Sequence, residues 1–85
     1  MTVQQRLLDY HRQYEDQMAL LQTCRDLHAK LEAELKECER LGEIPSEDLM
    51  RDLRDTETWL DYNLQQCDEL KIEIEECEAY LAEDE

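Results

Sequence analysis

Apolar side chains recur along this chain in steps of four and three. From Val3 they pass through Leu7, Tyr10 and Tyr14, then continue through Gln17, Leu21, Cys24, His28, Leu31, Leu35 and Cys38. A four–three alternation sustained this far is a heptad seam, the pattern of a long helix packed along another helix. It predicts helix from about residue 2 to residue 41, roughly 60 Å long at about 1.5 Å per residue. A second seam takes Leu49, Leu53, Thr56, Leu60, Asn63, Cys67, Leu70, Ile74, Cys77 and Leu81, and predicts helix from about residue 46 to residue 82. Neither seam carries the period of two that marks a half-buried strand. The expected class is all-α.

Between the seams lie the only glycine and the only proline of the chain, Gly42 and Pro45. Glycine tolerates the left-handed conformation that closes a helix, and proline cannot continue one. Ser46 is placed to cap the second helix. Glu47 and Asp48 follow in its first turn, where the helix dipole favours negative charge, and Lys36 and Arg40 sit in the last turns of the first helix, where it favours positive charge. A turn over residues 42–45 forces the helices antiparallel, so residues 1–85 read as one helical-hairpin domain.

Two registers mesh the seams. One sets His28 beside Asn63 and Cys24 beside Cys67; the other sets His28 beside Thr56 and leaves Asn63 opposite Leu21. The need of buried polar groups for partners favours the first. Polar seam members such as Gln17, His28, Thr56 and Asn63 fix register and association state at some cost in stability.

The apolar surface is wider than the seams. Leu20, Leu27 and Leu41 flank the first seam on one side and Met18 on the other; Met50, Trp59, Leu64 and Tyr80 flank the second, with Tyr62 and Ile72 further out. A two-stranded coiled coil needs only a narrow stripe, whereas a bundle needs a broad one. The width predicts a further helical surface over Met18, Leu20, Leu27, Trp59, Leu64 and Tyr80, most simply a homodimeric four-helix bundle.

Charge changes the picture most. The 85 residues carry a formal net charge of −15. Residues 1–41 hold six Lys/Arg and eight Asp/Glu, whereas residues 42–85 hold three and sixteen. From Asp55 to Glu85 there are twelve acids and the single Lys71. As a helix, that segment carries about one net negative charge per 4 Å, against one per about 3.4 Å along a DNA strand. The acids fall in columns: Asp61, Asp68 and Glu75 form one, and Asp55, Glu69, Glu76 and Glu83 its neighbour, with Tyr62 pointing outward beside Asp61. Glu69 and Glu73 repel one turn apart, and Glu83, Asp84 and Glu85 oppose the dipole at the helix end. A solvated outer face would explain exposed acids but not this local breach of helix rules, which hints at function. Such a field repels nucleic acid and anionic membrane and suits a basic protein partner. Trp and Tyr are favoured interface anchors, which adds Tyr62 to the candidate surface.

Candidate chemistry is sparse. Cys24, Cys38, Cys67 and Cys77 all occupy seam positions, as small buried hydrophobes do. Cys24 and His28 lie one turn apart and Cys67 could face them, but no C-x-x-C pair supports a zinc site. A Cys24–Cys67 disulfide fits the first register and not a reducing compartment. The Cys24–His28 pair lacks the electropositive, accessible setting that a catalytic thiolate needs. Phosphate-binding glycine loops, Ser–His–Asp candidates and E-x-x-H signatures are absent, and a long hairpin offers no concave pocket. No enzymatic activity, metal or cofactor is expected. Residues 1–6 lack the apolar centre of a signal peptide, and the longest clean apolar run is Met18–Leu21; with unpaired thiols, the cytoplasm is the expected compartment.

The expected function is therefore non-enzymatic. The second helix would occupy a basic, nucleic-acid-binding surface of a protein partner through Asp55, Asp61, Tyr62, Asp68, Glu69, Glu75, Glu76 and Glu83, inhibiting it by charge mimicry. In size, charge and helicity the chain is similar to the small acidic inhibitors that phages use against restriction or CRISPR nucleases, a likeness that implies such a partner. The alternative is a structural coiled-coil module that dimerises or scaffolds through its apolar flanks.

Overall fold

The computed structural model describes residues 2–83. Two helices, α1 (Val3–Leu41) and α2 (Glu47–Glu83), pack along each other, with no strand among the described residues. The hairpin measures 64 × 18 × 14 Å with a radius of gyration of 18.9 Å. A compact domain of this length has a radius near 12 Å. The molecule is a rod whose interior is one seam.

The ends are built by the residues the pattern singles out. Thr2 caps α1 in a reciprocal box: Gln5 N donates to Thr2 Oγ1 at 3.2 Å and Thr2 N donates to Gln5 Oε1 at 2.9 Å. Gly42 closes α1 at φ 70°, ψ 20°, with Gly42 N donating to Glu39 O and Glu43 N to Cys38 O, so orphan carbonyls of the last turn are satisfied. Ser46 Oγ accepts from Leu49 N at 3.1 Å, starting α2 with Glu47 and Asp48 in its first turn. The last turn of α2 holds no basic residue, which preserves the breach of the dipole rule at Glu83; Asp84 and Glu85 lie outside the described residues.

Burial follows the heptads residue by residue. In α1 every seam position from Val3 to Cys38 is buried or half-buried and every other described position is exposed. In α2 the same holds from Leu49 to Leu81, with Gln66 as a half-buried addition. Near the turn Leu31, Leu49 and Leu53 pack together with Leu35 and Cys38 against them. The most enclosed layer lies further along, where Leu21, Cys24 and Asn63 are at most 2% exposed.

That layer corrects the register. His28 is not beside Asn63, and Cys24 is not paired with Cys67. Asn63 instead lies among Gln17, Cys24 and its own helix: Gln17 Nε2 donates to Asn63 Oδ1, and Asn63 Nδ2 donates to Trp59 O at 2.9 Å and faces Cys24 Sγ at 3.4 Å. The remaining polar seam members find partners without facing Asn63. Thr56 donates its hydroxyl to Asp52 O and Leu53 O, and His28 turns to the seam's edge, with Nε2 3.4 Å from Glu57 and Nδ1 3.5 Å from Glu32. The polar groups are satisfied diagonally and locally, which frees the apolar positions to choose the register.

Candidate acidic interaction surface

Because α2 buries its seam against α1, the positions between successive seam residues are turned to water. Asp55, Asp61, Asp68, Glu69, Glu75, Glu76 and Glu83 are all exposed. Seven-residue spacing stacks Asp61, Asp68 and Glu75 into one column and Asp55, Tyr62, Glu69, Glu76 and Glu83 into a second, with exposed Thr58, Gln65, Ile72 and Ala79 between them. Tyr62, 58% exposed, fills the slot between Asp55 and Glu69 in that second column. Among the described residues none of these acids enters an ion pair; the cross-helix contacts of this kind are His11–Glu78 and His28–Glu57, both at the seam's edge. Glu69 receives one contact, from Gln65 Nε2 at 3.5 Å. The charge of these columns thus faces solvent and is not used in ion pairs within the fold.

The apolar flanks separate onto two edges of the rod. Leu27 and Trp59 meet across one edge, where they line a groove with Leu31, Asp52, Asp55 and Thr56. Tyr80 lines a second groove on the same edge near the chain termini. Met18 lies on the other edge, its Sδ 3.7 Å from Cys67 Sγ. Met18, Leu20, Leu27, Trp59, Leu64 and Tyr80 remain between 38% and 54% exposed in the single hairpin.

The cysteines are free thiols, and the residues weighed as metal ligands are not brought together. Cys24 faces Asn63, Cys67 faces Met18, and His28 faces two glutamates. Among the described residues no group of three or more His, Cys, Asp or Glu converges on a metal position. Burial raises the Cys24 thiol above its usual range against the opposing hydrogen bond from Asn63. Cys67 is raised by burial and by the nearby Asp68 carboxylate, with Arg25 opposing. Both therefore stay protonated and unreactive at neutral pH. Thiol reagents applied to native protein are expected to modify the half-buried Cys38 and Cys77 before Cys24 and Cys67, read by peptide mass mapping; equal rates at all four would contradict the seam. The sign of the pH linkage follows: unfolded thiols ionise earlier than these two, so their contribution is present below about pH 9 and lost as pH rises further.

Sequence reasoning missed the Gln17–Asn63 amide pair, the half-burial of Gln66 and the grooves. Heptad positions place Leu27 and Trp59 on the same edge of an antiparallel pair, but only the register brings them to the same height. No helix among the described residues is long and apolar enough to cross a membrane. Comparison of the chain with protein-family models, with curated proteins and with solved structures finds no significant match.

Proposed function

We propose that this chain is a non-enzymatic inhibitor whose α2 occupies a basic, nucleic-acid-binding surface of a protein partner. One observation carries the reading: two columns of exposed carboxylates, free of ion pairs among the described residues, run along α2 with about one carboxylate per 6 Å of helix. A preformed helix presents that field without the cost of ordering its backbone on binding. The partner supplies Lys and Arg that normally meet phosphates, as in the phage inhibitors of restriction or CRISPR nucleases to which the chain is similar in size, charge and helicity. The chain acts in the cytoplasm and carries no cofactor. Capture of a native-host protein by the wild-type chain, and its release by duplex DNA or by RNA, tests the reading. Capture that nucleic acid leaves untouched would overturn it.

The second reading is a homodimeric four-helix bundle, a scaffold acting through its apolar flanks. It is favoured by the partial exposure of Leu20, Leu27 and Trp59 along one edge, surface that a lone hairpin leaves wet. Under it, sedimentation equilibrium at concentrations on the order of tens of micromolar reports a dimer, and Leu27→Asp weakens that dimer more than Leu8→Asp, whose site is 71% exposed on the outer side. A monomer throughout that range removes this reading.

A further inference from the structure

The two grooves on the Leu27–Trp59 edge are copies of one another. The first, of about 390 Å³, is lined by Leu27 and Leu31 of α1 and by Asp52, Asp55, Thr56 and Trp59 of α2. The second, of about 400 Å³, is lined by Arg6 and Tyr10 of α1 and by Glu73, Glu76, Cys77 and Tyr80 of α2, with Val3 in addition. Every residue of the first lies three heptads from its counterpart in the second. On α2 a pair of carboxylates one turn apart precedes an aromatic ring in both: Asp52, Asp55 and Trp59 in one, Glu73, Glu76 and Tyr80 in the other. On the antiparallel α1, Leu31 takes the place of Tyr10, and Leu27 takes the place of Arg6.

That last difference is the informative one. The second groove has an arginine of its own beside its two glutamates and its tyrosine. In the first groove α1 offers only leucine, and neither Asp52 nor Asp55 is in an ion pair among the described residues. Thr56 has committed its hydroxyl to Asp52 O and Leu53 O. The floor is therefore apolar, the wall aromatic and the rim doubly acidic, with no cation supplied from within.

We propose that the Leu27–Trp59 groove binds an arginine side chain of the basic protein partner, in the position that Arg6 holds in the second groove. The inference rests on the reading of α2 as the surface for such a partner. An arginine fits each part of the lining. Its three-carbon stem packs on Leu27 and Leu31, its planar, weakly hydrated guanidinium stacks on the Trp59 indole, and its charge meets Asp52 and Asp55. Lysine, a strongly hydrated point charge, suits the rim but not the ring. A second copy of this chain would match the leucines but would bring its own Asp52 and Asp55; the arginine that lines a groove on this edge is Arg6, roughly 30 Å along the helix from Leu27. The groove also opens onto the acidic surface already described, because Asp55 both lines it and heads the column of Tyr62, Glu69, Glu76 and Glu83. An arginine seated there would fix the register of the partner on that column.

Trp59 is the chain's only tryptophan, so its fluorescence reads the groove directly. Titration of the full chain with a hexa-arginine peptide is expected to give a saturable change in Trp59 emission, with hexalysine several-fold weaker. Asp52→Asn with Asp55→Asn is expected to weaken hexa-arginine binding about tenfold. Leu27→Arg, which fills the groove from within, is expected to abolish the Trp59 response. Circular dichroism confirms that the variants remain helical; should Leu27→Arg fail to fold, the asparagine pair decides. If hexa-arginine binds wild type and asparagine variant equally, the columns hold the peptide and the groove does not, which overturns this proposal and leaves the acidic-surface reading intact. If no basic peptide binds at all, both fall. A Trp59 change that depends on protein concentration alone, and is lost in Leu27→Arg, assigns the groove to a second copy and overturns the arginine site.

Discussion

Replacing Asp61, Asp68, Glu69, Glu75 and Glu76 together by lysine is expected to abolish binding of the basic partner while leaving helix content unchanged. All five are exposed and none is in an ion pair among the described residues, so the seam does not depend on them. Thermal stability is expected to hold or rise slightly, because like charges one turn apart, such as Glu69 and Glu73, cease to repel. The binding loss is large for a simple reason. Each exposed charge pair contributes about 0.2–1 kcal/mol, and reversal replaces attraction by repulsion at five places. A fall in affinity of at least about a hundredfold is therefore expected, measured by calorimetry or by capture. The control is reversal of Glu15, Asp16, Asp26, Glu34 and Glu39 on α1, also exposed, which changes the net charge equally but leaves the α2 columns whole. It is expected to retain most of the binding. Equal losses in both variants would mean that overall charge acts, not a face.

The second large effect lies at Asn63. Asn63 is 2% exposed and reaches across the middle of the seam to both Gln17 and Cys24. Asn63→Ala would leave the Gln17 amide without its acceptor and open space in the most enclosed layer, beside Leu21 and Cys24. A loss of about 2–3 kcal/mol is expected in denaturant titration. The double change Gln17→Leu with Asn63→Leu has a different expected outcome. Replacing a buried polar pair by apolar groups of similar volume is neutral or stabilising, so the midpoint holds or rises. What is lost is the penalty against sliding, since two four–three seams mesh at more than one register once the layer is apolar. Amide NMR spectra are expected to show one set of resonances for the wild type and more than one for the double variant. A single sharp set in the double variant would show that the turn alone selects the register.

The residues that settle this register also mark the limit of what the heptads convey. Seam membership was legible position by position, because helical periodicity fixes which side chains face a neighbour whatever that neighbour is. Gly42, Pro45 and Ser46 likewise announced the turn and both helix ends. Register was not legible. The expectation that His28 should pair with Asn63 treated polar side chains as needing partners directly opposite. Gln17 is long enough to reach Asn63 diagonally, Thr56 is satisfied by carbonyls of its own helix, and His28 swings to glutamates at the edge. The acidic columns could be read in full from seven-residue spacing, including their exposure. The grooves could not, because they join residues from both helices and so exist only once the register is known.

Salt dependence of partner binding tests the central claim most directly. If the α2 columns occupy a surface built for phosphates, raising salt from about 50 mM to about 200 mM should weaken the complex by at least about a hundredfold, since counterions screen exposed charges and refill the basic surface. An affinity that stays flat across that range would show that the partner is held through apolar contacts, and would contradict charge mimicry.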